Sequence, residues 1–299
     1  MRIVDARSGL PGEIRRARGG LLRVCAHTAR GAGPSSLGNL RALLVTDVLF
    51  RVAEHVDGLQ AMVGYADADL PESDVKEQAD AARRLGIRPP DVHADPDDLG
   101  DAFGGPVHVH VGAARAGVPA MGNGGLYVAA GPVSAPAFAG RQTDSRHAPE
   151  RRAPDRPDDG RPDNGGPNNG GPNNGGRDPL ALRLALLQDP HSGTAHLTPD
   201  TLSRAEALLG RWRERVAAWA DAASRPMHAE TVRRVHDACR EDLDTAAVLA
   251  ALSRLETETD VPDGAKFETF VHADQVLGLE LPRDIGRGPS PGARPAGSG

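Results

Sequence analysis

One segment restricts the possible folds of this chain more than any other. Leu22-Arg-Val-Cys-Ala-His-Thr28 reads as a buried strand with a cysteine near its end, Pro34-Ser-Ser as a turn, and Leu37 to Val56 as a long apolar helix. Leu40, Leu44, Val48 and Val52 recur at helical spacing, and Leu43 and Val45 broaden that stripe. Ser35 or Ser36 is the expected N-cap, with Pro34 just ahead of it. Leu59 to Val63 reads as the next strand, which closes a βαβ unit and requires a parallel pair with a right-handed crossover. Such a unit makes a small-molecule pocket where the first strand ends and the helix N-terminus points into the crevice. Gly38, in the first helical turn, lets an adenine or ribose approach the backbone there.

The flanking pattern extends the same architecture. Met1 to Val4 and Leu21 to Val24 read as strands, Glu72 to Leu85 as a shorter helix stopped by Gly86 and Pro89-Pro90. Val107-His-Val-His-Val111 alternates as a strand with one buried face does, and Leu126-Tyr-Val128 reads as one more strand. From Pro149 to Arg177 the composition collapses into Arg, Asp, Pro, Asn and Gly, with Gly-Gly-Pro-Asn-Asn repeated at 165–169 and 170–174. That segment has too little apolar surface to offset its ordering entropy and is expected to be disordered. Beyond it the pattern is helical: 178–187, about 198–223, 229–240, 243–256 and 266–277. The expected organisation is a Rossmann-like α/β domain over 1–140, a linker over 141–177, a helical bundle over 178–286 and a disordered tail over 287–299. At 299 residues the chain is long enough for two such cores.

Charge and composition exclude several classes. A net charge of -6 argues against a generally basic nucleic-acid surface. Lysine occurs only at Lys76 and Lys266, and neither lies in a loop built to hold phosphate. Two distant cysteines, Cys25 and Cys239, suggest no disulfide framework. No leader pattern and no run of bilayer-spanning length is present, so the expectation is a soluble cytoplasmic protein that does not use a membrane.

These segments, in this order, resemble the class I aminoacyl-tRNA synthetases of the cysteinyl type, and look closer still to the mycothiol-pathway ligase that joins cysteine to a glucosaminyl-inositol using ATP. The resemblance rests on Met1-Arg-Ile-Val-Asp-Ala-Arg-Ser-Gly9, on Val24-Cys25 with Thr28, and on Leu37-Gly-Asn39 over the HIGH signature. It continues through Asp47-Val-Leu-Phe-Arg-Val52, Ala66-Asp-Ala-Asp69 and Leu85-Gly-Ile-Arg-Pro-Pro-Asp-Val92. Beyond the linker it takes in Asp178 to Leu187, Arg211-Trp-Arg, Asp242-Leu-Asp-Thr245 and Val276-Leu-Gly-Leu-Glu-Leu281. It implies a HUP-type nucleotide-binding sheet, ATP as cofactor, Thr28, Gly38 and Asn39 as cofactor-binding residues and Cys25 as a substrate-binding residue.

The departures from that family fall on its chemistry. Adenylate formation needs groups that stabilise charge building on the phosphates. Ser36 and Asn39 stand where the family has the two histidines of HIGH, and Gly131-Pro-Val-Ser-Ala-Pro136 stands for the KMSKS loop, offering Ser134 and no cation. Of the family's zinc ligands only Cys25 carries across, so zinc is not expected. The expected protein is therefore a divergent cysteine-activating ligase with weak or no activity, or alternatively a non-catalytic binding or regulatory paralogue acting through its bundle. Recognition of tRNA is not expected, because the bundle is short.

Individual side chains keep two readings at this point. Cys25 is either a substrate-facing thiol or a small buried residue at a strand end. His27 stands near the pocket mouth and could replace a lost histidine. His108 and His110 read as a solvated sheet face, Asp67 and Asp69 as turn residues before Mg²⁺ ligands, and Arg211, Arg213 and Arg215 as solvated helix surface.

Overall fold

The computed structural model describes residues 1–14, 20–29, 32–113, 125–135 and 177–287. The Gly-Pro-Asn repeat and all of the expected linker but Arg177, and all of the expected tail but Arg287, lie outside the described residues. An N-terminal hairpin of β1 (Arg2–Asp5) and β2 (Leu10–Glu13) is antiparallel. The central sheet has five strands in the order β5 (Val92–Ala94), β4 (Gln60–Ala66), β3 (Leu21–His27), β6 (Val109–Ala113) and β7 (Leu126–Ala130). Every neighbouring pair in it is parallel. The expected βαβ unit is its centre: β3, then α1 (Leu37–His55), then β4.

The chain steps outward from β3 to β4 and, after α2 (Glu72–Arg84), to β5. It then passes through the short α3 (Leu99–Ala102) and returns to place β6 on the other side of β3. The strand order therefore reverses between β3 and β6, which opens a crevice at their carboxyl ends. Helix α1 is capped as the sequence suggests, with Ser36 Oγ accepting from the Asn39 amide. Its apolar residues cover more than one stripe because it packs both on the sheet and on the helical region.

Two expectations change on contact with packing. The alternation at 107–111 predicts one buried face, yet His110 is buried along with every other residue of β6, and only His108, just ahead of the strand, is half-buried. An interior parallel strand is covered on both faces, so its alternation of His and Val reports chemistry rather than exposure. The strands β2 and β5 and the helix α3 have no counterpart in the sequence reading. β2 is Leu-Pro-Gly-Glu, a composition tolerated at a sheet edge, and β5 and α3 are too short to show a period.

The helical region comprises α4 (Pro179–Leu187), α5 (Pro199–Trp219), α6 (Ala229–Arg240), α7 (Thr245–Thr257) and α8 (Asp263–Leu277). A 3₁₀ turn follows at Leu281–Asp284. Phe270 lies edge-on to both Trp212 and Trp219, at 5.6 and 5.2 Å between ring centres. A two-residue ladder joins β8 (Val133–Ser134) to β9 (Ala195–His196) and so ties the end of the α/β part to the bundle. The apolar core runs without a break from Val24, Leu43 and Val109 to Leu184, Trp212 and Leu277.

Buried ion pairs cross that continuous core. Asp47 on α1 and Arg183 on α4 are both fully buried and meet at 2.6 Å. Arg183 also donates to the Leu277 carbonyl at 2.6 Å and the Leu85 carbonyl at 3.1 Å. Asp47 in turn accepts from Arg51 and from the Arg88 amide. Arg213, expected on the solvated surface, is buried and donates to Asp178 and to the Leu279 and Glu280 carbonyls. Its neighbours Arg211 and Arg215 do face solvent. The helix period places Arg213 beside Trp212 on the inner side, where the turn after α8 presents its carbonyls. Removing one partner of a buried pair leaves the other uncompensated. Arg183→Ala is therefore expected to lower unfolding stability by about 3–5 kcal/mol in guanidinium titrations, and Arg211→Ala by under about 1 kcal/mol.

Candidate functional site

The crevice at the β3–β6 switch point is built from three pieces: the carboxyl end of β3 with Thr28 and Ala29, the N-terminus of α1, and the end of β6 at Gly112. Ser36 caps the helix and its Oγ faces the Asn39 amide at 3.4 Å. Its neighbour Ser35 hydrogen-bonds Glu77 on α2. Asn39 is buried and its side chain is fully engaged: Oδ1 accepts from the Ala29 amide at 2.7 Å, and Nδ2 donates to the Gly33 carbonyl at 3.0 Å and the Ala29 carbonyl at 3.4 Å. Asn39 therefore holds the turn between β3 and α1 in shape. Gly38 lies beside it with open space in front: a Cβ placed there would meet no atom within 4 Å. Thr28 is half-buried at the strand end.

One face of the sheet beneath this crevice carries Cys25, His27, His110, Gly112 and Tyr127. The pairing register fixes this, since Cys25 is opposite His110 and His110 is opposite Tyr127. Successive residues of a strand alternate faces, so His27 and Gly112 join the same side. His27 Nε2 and His110 Nδ1 are 2.9 Å apart, with both rings buried. His110 is thus no solvated residue; its Nδ1 is hydrogen-bonded inside the sheet, and His108 Nδ1 accepts from the Arg23 amide at 2.9 Å. Burial pushes His27 down to about 4. Burial, with His27 and Arg7 nearby, pushes His110 down to about 3. At neutral pH one ring N–H donates to the other ring's lone pair, and neither ring carries charge.

Cys25 is fully buried, packed with Ala94, Phe103 and Val107. Burial, reinforced by the Asp67 carboxylate, raises its thiol well above the ordinary cysteine range. Asp67 is buried too, 2.8 Å from His93 Nδ1, and burial raises its carboxyl while His93 opposes the rise. Gln78 reaches Asp67 through Nε2 at 3.5 Å, and its Oε1 has no partner among the described protein atoms. The donor set does not fit tetrahedral zinc: Cys25 is protonated among apolar neighbours, Cys239 is buried on α6, and no three His, Cys, Asp or Glu converge among the described residues. No step is assigned to zinc.

The described part of the segment 131–136, where the resemblance leads one to expect the KMSKS loop, is pinned. Arg41, buried on α1, donates to the carbonyls of Gly131, Pro132 and Gly193 through one terminal nitrogen and of Pro190 through the other, at 2.6–3.0 Å. Ser134 sits in the β8–β9 ladder that follows, and Pro136 lies outside the described residues. Neither the role of Arg41 nor the His27–His110 bond was read from the sequence. An arginine interrupting the apolar run Leu40 to Val45 is the one signal that could have pointed to the first. No helix among the described residues is long and apolar enough to cross a membrane.

A five-stranded parallel sheet with its crevice at the switch point, followed by a helical region, defines a Rossmann-like α/β protein. No protein-family model matches the chain. It is 40% identical over 108 residues to the L-cysteine:1D-myo-inositol 2-amino-2-deoxy-alpha-D-glucopyranoside ligase of Saccharopolyspora erythraea, covering 35% of this chain and 25% of that protein. The ligase of the same name from Thermobifida fusca is 39% identical over 112 residues, 36% of this chain and 26% of that protein. That from Thermobispora bispora is 41% identical over 75 residues, 25% and 18% respectively. The matches thus span about a quarter of these relatives' length. They agree with the resemblance drawn from the motifs, a cysteine ligase of the class I synthetase type.

The histidine pair generates a pH prediction. Both folded-state values lie below the unfolded value of about 6.5, so the unfolded chain binds more protons in the acid range. Stability is full above about 6.5 and falls as pH drops toward 4, by roughly 1.4 kcal/mol per pH unit for each proton taken up. Urea titrations at pH 7 and pH 5 are expected to show that loss, and His110→Gln is expected to reduce the slope. An unchanged slope in the variant would place the acid sensitivity elsewhere.

Proposed function

We propose that this protein is a divergent class I synthetase-like ligase of the cysteine type, which keeps a pocket for ATP or an aminoacyl-adenylate and activates cysteine weakly or not at all. The single observation that carries the reading is the engagement of the HIGH-equivalent side chains. Ser36 caps α1, and Asn39 is saturated by the backbone of Ala29 and Gly33. Asn39 has no donor left to follow a phosphate into the transition state, and Ser36 offers only a short hydroxyl whose oxygen already serves the cap; loss of one such donor costs roughly 10²–10³ in rate by analogy with oxyanion holes. What remains is a binding surface: the free N–H groups at the start of α1, the open backbone at Gly38 and the hydroxyl of Thr28. In this reading Thr28 and Gly38 contact the nucleotide, Asn39 shapes the turn that holds it, and Cys25 backs the substrate end from beneath. ATP, when bound, supplies the phosphoanhydride that would activate a carboxylate. The order of spans, an α/β domain to about residue 140 and a bundle from 178 to 286, belongs to the same reading, as does a small-molecule rather than a tRNA partner.

A second reading, a binding or regulatory paralogue that acts through the bundle, is favoured by one feature. An open groove of about 500 Å³ lies between the α5–α6 and α7–α8 connections, lined by Arg225, Met227, His228, Glu258, Val261 and Pro262.

Thermal melting with millimolar ATP or a non-hydrolysable cysteinyl-adenylate analogue separates the two, because a ligand specific to the folded state must raise its stability. The expected result is a rise in Tm that Gly38→Leu abolishes while leaving the ligand-free Tm nearly unchanged, since a side chain at 38 enters open space. Cysteine-dependent ATP–pyrophosphate exchange is expected to stay near background. An unmoved melting curve in the unmodified protein removes the nucleotide-pocket reading; brisk exchange removes the claim of lost chemistry.

A further inference from the structure

A second histidine pair lies far from the crevice in sequence and has a different character. His236 on α6 and His272 on α8 place their Nε2 atoms 2.8 Å apart, with ring centres 5.1 Å apart and planes at 58°. Unlike His27 and His110, both are only half-buried and remain open to solvent on one side. The two helices hold the rings from positions that packing fixes: Val235 and Cys239 on α6, and Ala273 and Val276 on α8, are buried beside them. Two convergent imidazole nitrogens on rigid elements, accessible from water, are the usual beginning of a metal chelate.

The separation itself discriminates between metals. With a metal–nitrogen bond of about 2.0 Å, two imidazoles at adjacent corners of a square-planar or octahedral ion stand roughly 2.8 Å apart, whereas tetrahedral angles spread them to about 3.3 Å. We propose that His236 and His272 form a transition-metal site, taking Cu(II) or Ni(II) as a two-histidine chelate that clamps α6 to α8, with water completing the shell. Metal entry requires the ring that now donates to change tautomer, its proton passing by way of water from Nε2 to Nδ1, and each ring swings slightly so that its Nε2 lone pair points off the line joining the nitrogens. Both imidazoles stay neutral and no net proton is released. The surroundings suit it. Arg240, the nearest fixed positive charge to His236, is neutralised by Asp57 at 2.8 Å and also donates to the Val56 carbonyl at 2.9 Å. Asp237 and Asp57 add negative potential near His236. Burial lowers both histidines below their ordinary value, aided at His236 by the His272 ring and at His272 by His55 while Gln275 opposes the fall, so protons compete weakly with metal at neutral pH.

Because α6 and α8 pack on each other, a bridge between them resists unfolding, and the metal must stabilise the folded chain by mass action. The test uses the full chain freed of any purification tag, stripped with EDTA, and melted with CuCl₂ or NiCl₂ alone. Saturating metal is expected to raise Tm by roughly 3–8 °C, with the rise reversed by EDTA. His236→Asn and His272→Asn are each expected to fold and to lose the rise, while His228→Asn, a histidine outside the pair, keeps it. Electron paramagnetic resonance of the Cu(II) form is expected to show two nitrogen ligands. The proposal is overturned if Tm does not move, if both pair variants retain the shift, or if the Cu(II) signal is unaffected by either substitution.

Discussion

Asp47 and Arg183 form the contact on which the rest of this structure depends. Both are fully buried, and their elements belong to different parts of the chain: α1 packs on the nucleotide-type sheet, α4 opens the helical region. Desolvating such a pair is costly, so it persists only where further hydrogen bonds satisfy the remaining donors and acceptors. Here they do. Arg183 reaches the end of α8 and the end of α2 through the Leu277 and Leu85 carbonyls, and Asp47 gathers Arg51 and the Arg88 amide. One ion pair thus fixes the angle at which α1 leaves the crevice relative to everything behind it. Since α1 carries Gly38 and Asn39, the geometry of the crevice is set partly from the bundle side.

The same logic runs through the polar side chains around the crevice, several of which are committed to the protein itself. Asn39 shapes a turn, Ser36 caps a helix, Arg41 collects four carbonyls, and His27 and His110 satisfy one another. Gly112 belongs to this arrangement as well: a Cβ there would overlap the Tyr127 hydroxyl at 2.2 Å, so the residue after His110 on that face must be glycine for the tyrosine to lie across the strand end. A site so satisfied is rigid and stable.

Much of this architecture was legible in residue order. The helical period from Leu37 to Val52 and the apolar runs on either side specified the parallel unit, and the caps at Ser36, Asp178 and Thr198 marked where helices begin. The elements that escaped, β2, β5, α3 and the β8–β9 ladder, are two to four residues long and are held by neighbours rather than by their own pattern. The site was legible in position but not in the state of its side chains. Thr28, Gly38, Asn39 and Cys25 do lie along one strand–turn–helix segment, but that Asn39 has no free donor depends on where the Gly33 carbonyl goes. His110 shows the limit best. Alternation with valine suggests a wet face in an antiparallel sheet and a covered one in the middle of a parallel sheet. Only the pairing of β6 between β3 and β7 decides which applies.

Three buried arginines extend the same inward use of polar groups. Guanidinium groups on a Rossmann-like fold would ordinarily suggest anion contacts. Here the buried ones serve main-chain carbonyls at the joints: Arg41 between the 131–133 and 190–193 turns, Arg183 between α2, α1 and α8, Arg213 between α4 and the turn after α8. Each reaches three or more acceptors in one plane, a task an ammonium on a flexible stem performs poorly. Lys266 illustrates the contrast, with a single long contact to the Glu256 carbonyl at 3.4 Å and its charge 5.6 Å from the Trp219 ring. Replacing the joint arginines by lysine would therefore conserve charge and lose the joints. Among the described residues the buried positive charge thus holds separate parts of the chain together, a use that the charge count alone could not reveal.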